Sequence, residues 1–182
     1  FMFHFPGMRS FDFWCEPGEE HWECAGGKRR LYTLLQAIGL GSKLTRIKTR
    51  DATREELTSF HTSFYLDSLI KMDTSVEPGI VAGDAGHFAR FSHGGYNVAL
   101  RAAGGAIEAC KAVLDKNVRN AYALVRPPGH HACADKGMGF CLFNNVAVAA
   151  RYVQRNSAFK RIAIVDFDVH HGNGTQEAFY DD

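Results

Sequence analysis

The chain has 182 residues, a formal net charge of +1 and 46% hydrophobic residues. That suits one globular domain with a real core, and the near-neutral charge gives no electrostatic basis for binding nucleic acid or an anionic membrane surface. Five cysteines, an odd number with no C-x-x-C spacing, argue against a disulfide framework or a structural zinc knot and point to reduced thiols in an intracellular protein.

Residues 1–27 are aromatic-rich and broken by proline and glycine, and read as an irregular arm. "KRRLYTLLQAIGLG" carries Leu31, Leu34, Leu35 and Ile38 at helical spacing, with Gly39 or Gly41 to end the helix. A short edge strand is expected over 44–48. Thr53 precedes Glu56 by the spacing of a capping box, which opens a helix. A second short helix is expected near 62–72. Residues 73–95 carry Gly, Asp and His with little periodicity and read as a long surface loop. "GYNVALRAAGGAIEACKAVLDK" is a long apolar helix whose Gly104–Gly105 pair suggests close packing. No run is long and apolar enough for a membrane span, and no leader pattern is visible.

The pattern then changes. "AYALV" (121–125) and "RIAIVDF" (161–167) read as buried strands. Between them lie the loop "RPPGHHACADKGMGFCLF" and a helix over "NNVAVAARYVQRN", with Asn144 or Asn145 as its N-cap. "GTQEAFY" starts another helix after the loop "DVHHGNG". This alternation is the signature of an α/β fold with a parallel sheet covered by helices. Ligands of such sheets bind beyond the carboxyl ends of the strands, where both polar loops sit.

Along an extended segment side chains alternate, so Asp166, Asp168 and His170 share one side. Asp168 and His170 offer one oxygen and one nitrogen to a divalent metal. Asp166, deeper in the sheet, suits a partner that orients a histidine. The alternative is a solvated charged terminus, which would leave ionisable groups at a buried strand end without compensation. The adjacent His130 and His131 are candidates for acid/base work. Asp166 could serve one of them, and Asn173 the other, with less support for an imidazolium from an uncharged amide. Gly139, Phe140 and Cys141 lie beside the site, where they either wall an apolar channel or simply pack before the helix.

"RPPGHHA…MGFCLFNN" followed by "VDFDVHHGNGTQEAFY" resembles the zinc-dependent histone deacetylases and their bacterial amidohydrolase relatives. "DATREELTSFHTSFYLDSL" and "GGYNVALRAAGGAIEA" resemble upstream segments of the same family, so the likeness runs from about His21 to the end. Asn173 in "HHGNGTQ" is similar to the class II branch. The resemblance implies a three-layer αβα arginase/deacetylase fold with a mainly parallel sheet. It implies Asp168 and His170 as two of three zinc ligands, His131 as general acid/base with Asn173 as its partner, and His130 as an electrostatic histidine paired with Asp166. Gly139 and Phe140 match the acyl-lysine channel, with Cys141 at its foot. A structural potassium ion is implied near Asp166, Asp168 and His170, and a second lined by Phe179. A rim aspartate is Asp84, unless His87 aligns there. A channel arginine is Arg30 or Arg29.

The activity implied is hydrolysis of an acetyl-lysine amide by metal-activated water, giving acetate and free lysine. Family members are longer, and their third zinc ligand and oxyanion-binding tyrosine lie further downstream. Residues 1–182 are therefore expected to be the N-terminal part of one domain, completed by a further C-terminal segment. Two other readings remain: an amidohydrolase for small substrates such as acetylpolyamines, and a non-catalytic metal-binding half-domain.

Overall fold

The computed structural model describes residues 23–75 and 81–182. Helices dominate: α1 (Ala25–Ala37), α2 (Arg54–Leu57), α3 (Ser63–Thr74), α4 (Gly95–Leu114), α5 (Asn145–Asn156) and α6 (Asn173–Ala178). Four short strands accompany them: β1 (Val81–Asp84), β2 (Gly86–His87), β3 (Arg90–Ser92) and β4 (Gly137–Met138). The chain is thus α/β.

Local chemistry sets the helix ends. Gly39, at a φ of 72°, follows α1 and hydrogen-bonds back to Gln36, the left-handed exit that glycine allows. Thr53 and Glu56 close a reciprocal capping box at α2. Asn144 caps α5 through Ala147 N–H.

The core lies between α3, α4, α5 and the loop before α5. Leu57, Leu66, Leu69, Phe91, Ile107, Leu142, Phe143 and Val148 are buried there. The small face of α4 brings the 50–52 segment close. A Cβ on Gly104 would strike the Arg50 carbonyl, and Ala52 N–H donates to Leu100 O at 3.0 Å. Arg50 secures the same segment, with ion pairs to Glu56 at 2.6 Å and Glu108 at 2.8 Å.

Several expectations change. Of the expected arm, 1–22 lie outside the described residues, and α1 already begins at Ala25. No ladder involves 44–48, 121–125 or 161–167. A strand needs a paired ladder for its N–H and C=O groups, and among the described residues none is formed along these segments. Val165 is 83% exposed and Phe167 96% exposed, so the second predicted strand is not buried here. The described part of 73–95 is an ordered hairpin rather than a loop. β1 pairs antiparallel with β3, and the turn residues of β2 pair parallel with β4.

Candidate active site

The hairpin tip is fastened to the loop that follows the two histidines. Gly137 N–H donates to Ala85 O at 2.9 Å, Gly139 N–H to His87 O at 2.9 Å and Phe140 N–H to Phe88 O at 2.7 Å. Asp84 Oδ1 accepts from Gly86 N–H at 3.1 Å and Ala89 N–H at 2.9 Å. This is the aspartate turn chemistry that competes with regular strands. Phe88 and Phe140, joined by their backbones, both sit at left-handed φ values of 55° and 68°. Such conformations cost roughly 1–3 kcal/mol each for non-glycine residues and persist where surrounding contacts over-determine them. Gly139, at a φ of 50°, leaves no room for a side chain, because a Cβ there would overlap the His131 ring.

The two polar loops converge as one cluster. His130 Nδ1 lies 2.8 Å from Asp166 Oδ2, and His131 Nδ1 lies 2.7 Å from Asn173 Oδ1. The imidazole centroids are 4.0 Å apart. The His130 carbonyl accepts from Gly174 and Thr175 N–H at 2.9 and 3.1 Å, pinning the first loop to α6. Burial pushes the Asp166 carboxyl up, but hydrogen bonds from His130 and Asp168 N–H outweigh it and hold the group below its ordinary range.

The 166–170 segment does not run as an extended strand. Asp166 Oδ1 accepts from Asp168 N–H at 3.1 Å, and Asp168 Oδ1 accepts from His170 N–H at 2.8 Å. These side-chain turns bend the chain, and they bring His170 Nδ1 to 3.0 Å from Asp168 Oδ1. The His170 ring stands 5.9 Å from that of His131. Hydrogen bonds from the His170 backbone and ring hold the Asp168 carboxyl low.

This carboxylate and imidazole set one oxygen and one nitrogen donor side by side. No third His, Cys, Asp or Glu joins them among the described residues. The donor chemistry fits zinc as part of a set.

The remaining predicted residues are more scattered. Cys141 is buried, donates to Gly139 O at 3.3 Å and is pushed up to about 12 by burial, so it is an inert thiol. Phe179 ends α6 with the Arg151 guanidinium 4.5 Å above its ring. Asp84 and His87 are exposed at the hairpin tip. Arg29 and Arg30 are exposed on α1, and no hydrogen bond or ion pair among the described residues ties their side chains to the cluster.

Other residues of the site carry little sequence signal. His61 is 2% exposed, and its Nε2 accepts Asn144 N–H at 2.9 Å. Its Nδ1 faces the Cys133 and Ala134 carbonyls without closing a hydrogen bond of normal geometry. The Asn144 amide in turn donates to Ala132 O at 3.4 Å and Thr175 Oγ1 at 3.2 Å. A lone histidine inside "FHTSFY" offers only its apolar flanks as a clue.

The pattern of the histone deacetylase domain matches residues 21–182. The chain belongs to the histone deacetylase family. It is 44% identical over 153 residues to histone deacetylase HDA1 of Saccharomyces cerevisiae, covering 82% of this chain and 22% of that protein. It is 39% identical over 169 residues to a histone deacetylase-like amidohydrolase of Pseudomonas aeruginosa, covering 92% and 43%. It is also 38% identical over 157 residues to the polyamine deacetylase HDAC10 of Danio rerio, covering 83% and 22%. Among solved structures, the HDA15 HD domain superposes with a TM-score of 0.83 at 34% identity, covering 92% of this chain and 46% of that one. The chain has the arginase/deacetylase fold, and it spans less than half the length of these relatives. No described helix is long and apolar enough to cross a membrane.

Proposed function

We propose that residues 1–182 form the N-terminal part of a zinc-dependent lysine deacetylase domain, which a further segment of the polypeptide completes. The observation that carries this reading is the pair of histidine dyads, ring to ring, with Asp168 and His170 beside them. Asp168 and His170 would hold zinc with a third ligand from the completing segment. Bound zinc would polarise the substrate amide carbonyl and acidify a water.

The chain's own residues do the rest. His131, its Nδ1–H held by Asn173, presents a basic Nε2 that takes the proton of the attacking water. It then returns one to the departing lysine amine. His130, oriented by the Asp166 carboxylate, presents its Nε2 side toward the developing oxyanion. Gly139 and Phe140 wall the channel for the acyl-lysine stem, with Cys141 at its foot and Asp84 at its rim. Potassium near Asp166, Asp168, His170 and Phe179 is proposed from family resemblance alone. An intracellular workplace is proposed from the free thiols of Cys24, Cys110, Cys133 and Cys141.

The likeness to a polyamine deacetylase supports a second substrate reading through the same residues. Turnover by the full-length polypeptide of an acetyl-lysine peptide against an N-acetylpolyamine separates the two. Hydrolysis of neither would leave the non-catalytic reading.

A further inference from the structure

Asn173 is held more tightly than service to one histidine requires. Its Oδ1 faces His131 Nδ1 at 2.7 Å. On the other side of the amide, Nδ2 lies 3.2 Å from the His131 carbonyl, 3.4 Å from Cys133 Sγ and 3.5 Å from Met138 Sδ. The carbonyl and the thioether can only accept. Cys133 accepts here too, because its own S–H is directed at His131 O, 3.7 Å away. Cys133 is 4% exposed. Burial, above all, pushes its thiol up to about 11, so the sulfur stays neutral. Turning the amide over would set Oδ1 against a carbonyl oxygen and a thioether, and would leave its NH2 only His131 Nδ1, which can accept only with the ring proton moved to Nε2.

We propose that Cys133 and Met138 are positioning residues: their sulfurs fix the Asn173 amide with its oxygen toward His131, which commits the imidazole proton to Nδ1 and leaves Nε2 as the base. The inference rests on the reading of His131 as general acid/base. Sulfur is a weak acceptor, so the two sulfurs act beside the His131 carbonyl, adding acceptors on the same side of the amide. The same pocket selects an amide over an acid at position 173. An aspartate would bring an anionic oxygen against the His131 carbonyl and the Met138 sulfur, neither of which can donate to it.

The test uses the full-length polypeptide. Cys133→Ala with Met138→Leu removes both sulfur acceptors at modest change of volume. The expected result is a fall in kcat of about five- to tenfold with KM within about twofold. ¹⁵N spectra of labelled histidine should then show His131 changing from a single Nδ1–H tautomer to a mixture. A second arm holds if the double variant unfolds. Asn173→Asp should lose activity, and adding Met138→Gln, whose amide can donate to the new carboxylate, should recover part of it. A double variant with unchanged kcat and an unchanged His131 tautomer overturns the proposal, as does failure of Met138→Gln to recover any activity of Asn173→Asp. A wild-type protein inert toward acetyl-lysine overturns the functional reading instead. The tautomer measurement needs no turnover and still decides the role of the sulfurs.

Discussion

His130 and Asp166 meet at 2.8 Å between Nδ1 and Oδ2, although 36 residues separate them. The neighbouring His131 meets an uncharged amide instead. Two imidazoles 4.0 Å apart cannot both be cationic cheaply. The two histidines face different partners, a carboxylate at His130 and an amide at His131. Asp166→Asn, which keeps shape and removes charge, should lower kcat on an acetyl-lysine peptide by about 10- to 100-fold and leave KM nearly unchanged. Equal kcat in the two proteins would show that the charge at 166 plays no part in turnover.

Gly139 lies against the His131 ring, at a φ that disfavours any side chain. Gly139→Ala must either displace the imidazole or pull the 137–140 segment off the hairpin. We expect a stability loss of roughly 1–3 kcal/mol together with at least about tenfold lower kcat. Thermal denaturation and steady-state kinetics measure the two effects. Wild-type values for both would mean that the loop has room that the structure denies.

The parts legible in the sequence are those that carry their own local chemistry. Thr53 and Glu56 announce a helix start because capping is a contact between residues three apart. "RPPGHH" and "DVHHGNG" announce a site because their residue types have few other uses. The hairpin of β1 and β3 was illegible for the opposite reason. Its bonds are mostly backbone to backbone, and its turn depends on Asp84 Oδ1, which no apolar alternation reveals. The alternation of Asp166, Asp168 and His170 suggests an extended strand, whereas each aspartate turns the chain through an N–H two residues on. His61 escaped notice because its partner, Asn144 N–H, is 83 residues away.

Acid should expose the role of His61. Burial holds its pKa at about 4 in the folded chain, against an ordinary value of about 6.5. Between those values the unfolded chain binds a proton that the folded one refuses, so stability falls as pH drops from about 6.5 toward 4. The difference corresponds to roughly 3 kcal/mol. Protonation would also turn Nε2 from the acceptor of Asn144 N–H into a competing donor. His61→Gln should lower stability at pH 7 and flatten its dependence on pH across that window. Denaturant melts at pH 7, 6, 5 and 4 test this, and parallel curves for the variant and the wild type would remove His61 as the source.

Asp168 and His170 already stand in mutual contact, at 3.0 Å between Oδ1 and Nδ1, before any ion is considered. Both are largely open to solvent, and the Asp168 carboxyl is held low by the His170 backbone and ring. The pair therefore needs no unfolding to admit a cation, and the carboxylate needs no proton loss to bind one at neutral pH. In the full-length polypeptide, Asp168→Ala and His170→Ala should each weaken zinc binding by at least about tenfold. Zinc retained per chain after dialysis against a competing chelator measures this directly. Asp166→Asn, two residues before the ligand pair, should retain zinc while losing turnover. If Asp168→Ala and His170→Ala also kept full zinc, the metal would be held elsewhere, and the turn at 166–170 would serve only to place Asp166 against His130.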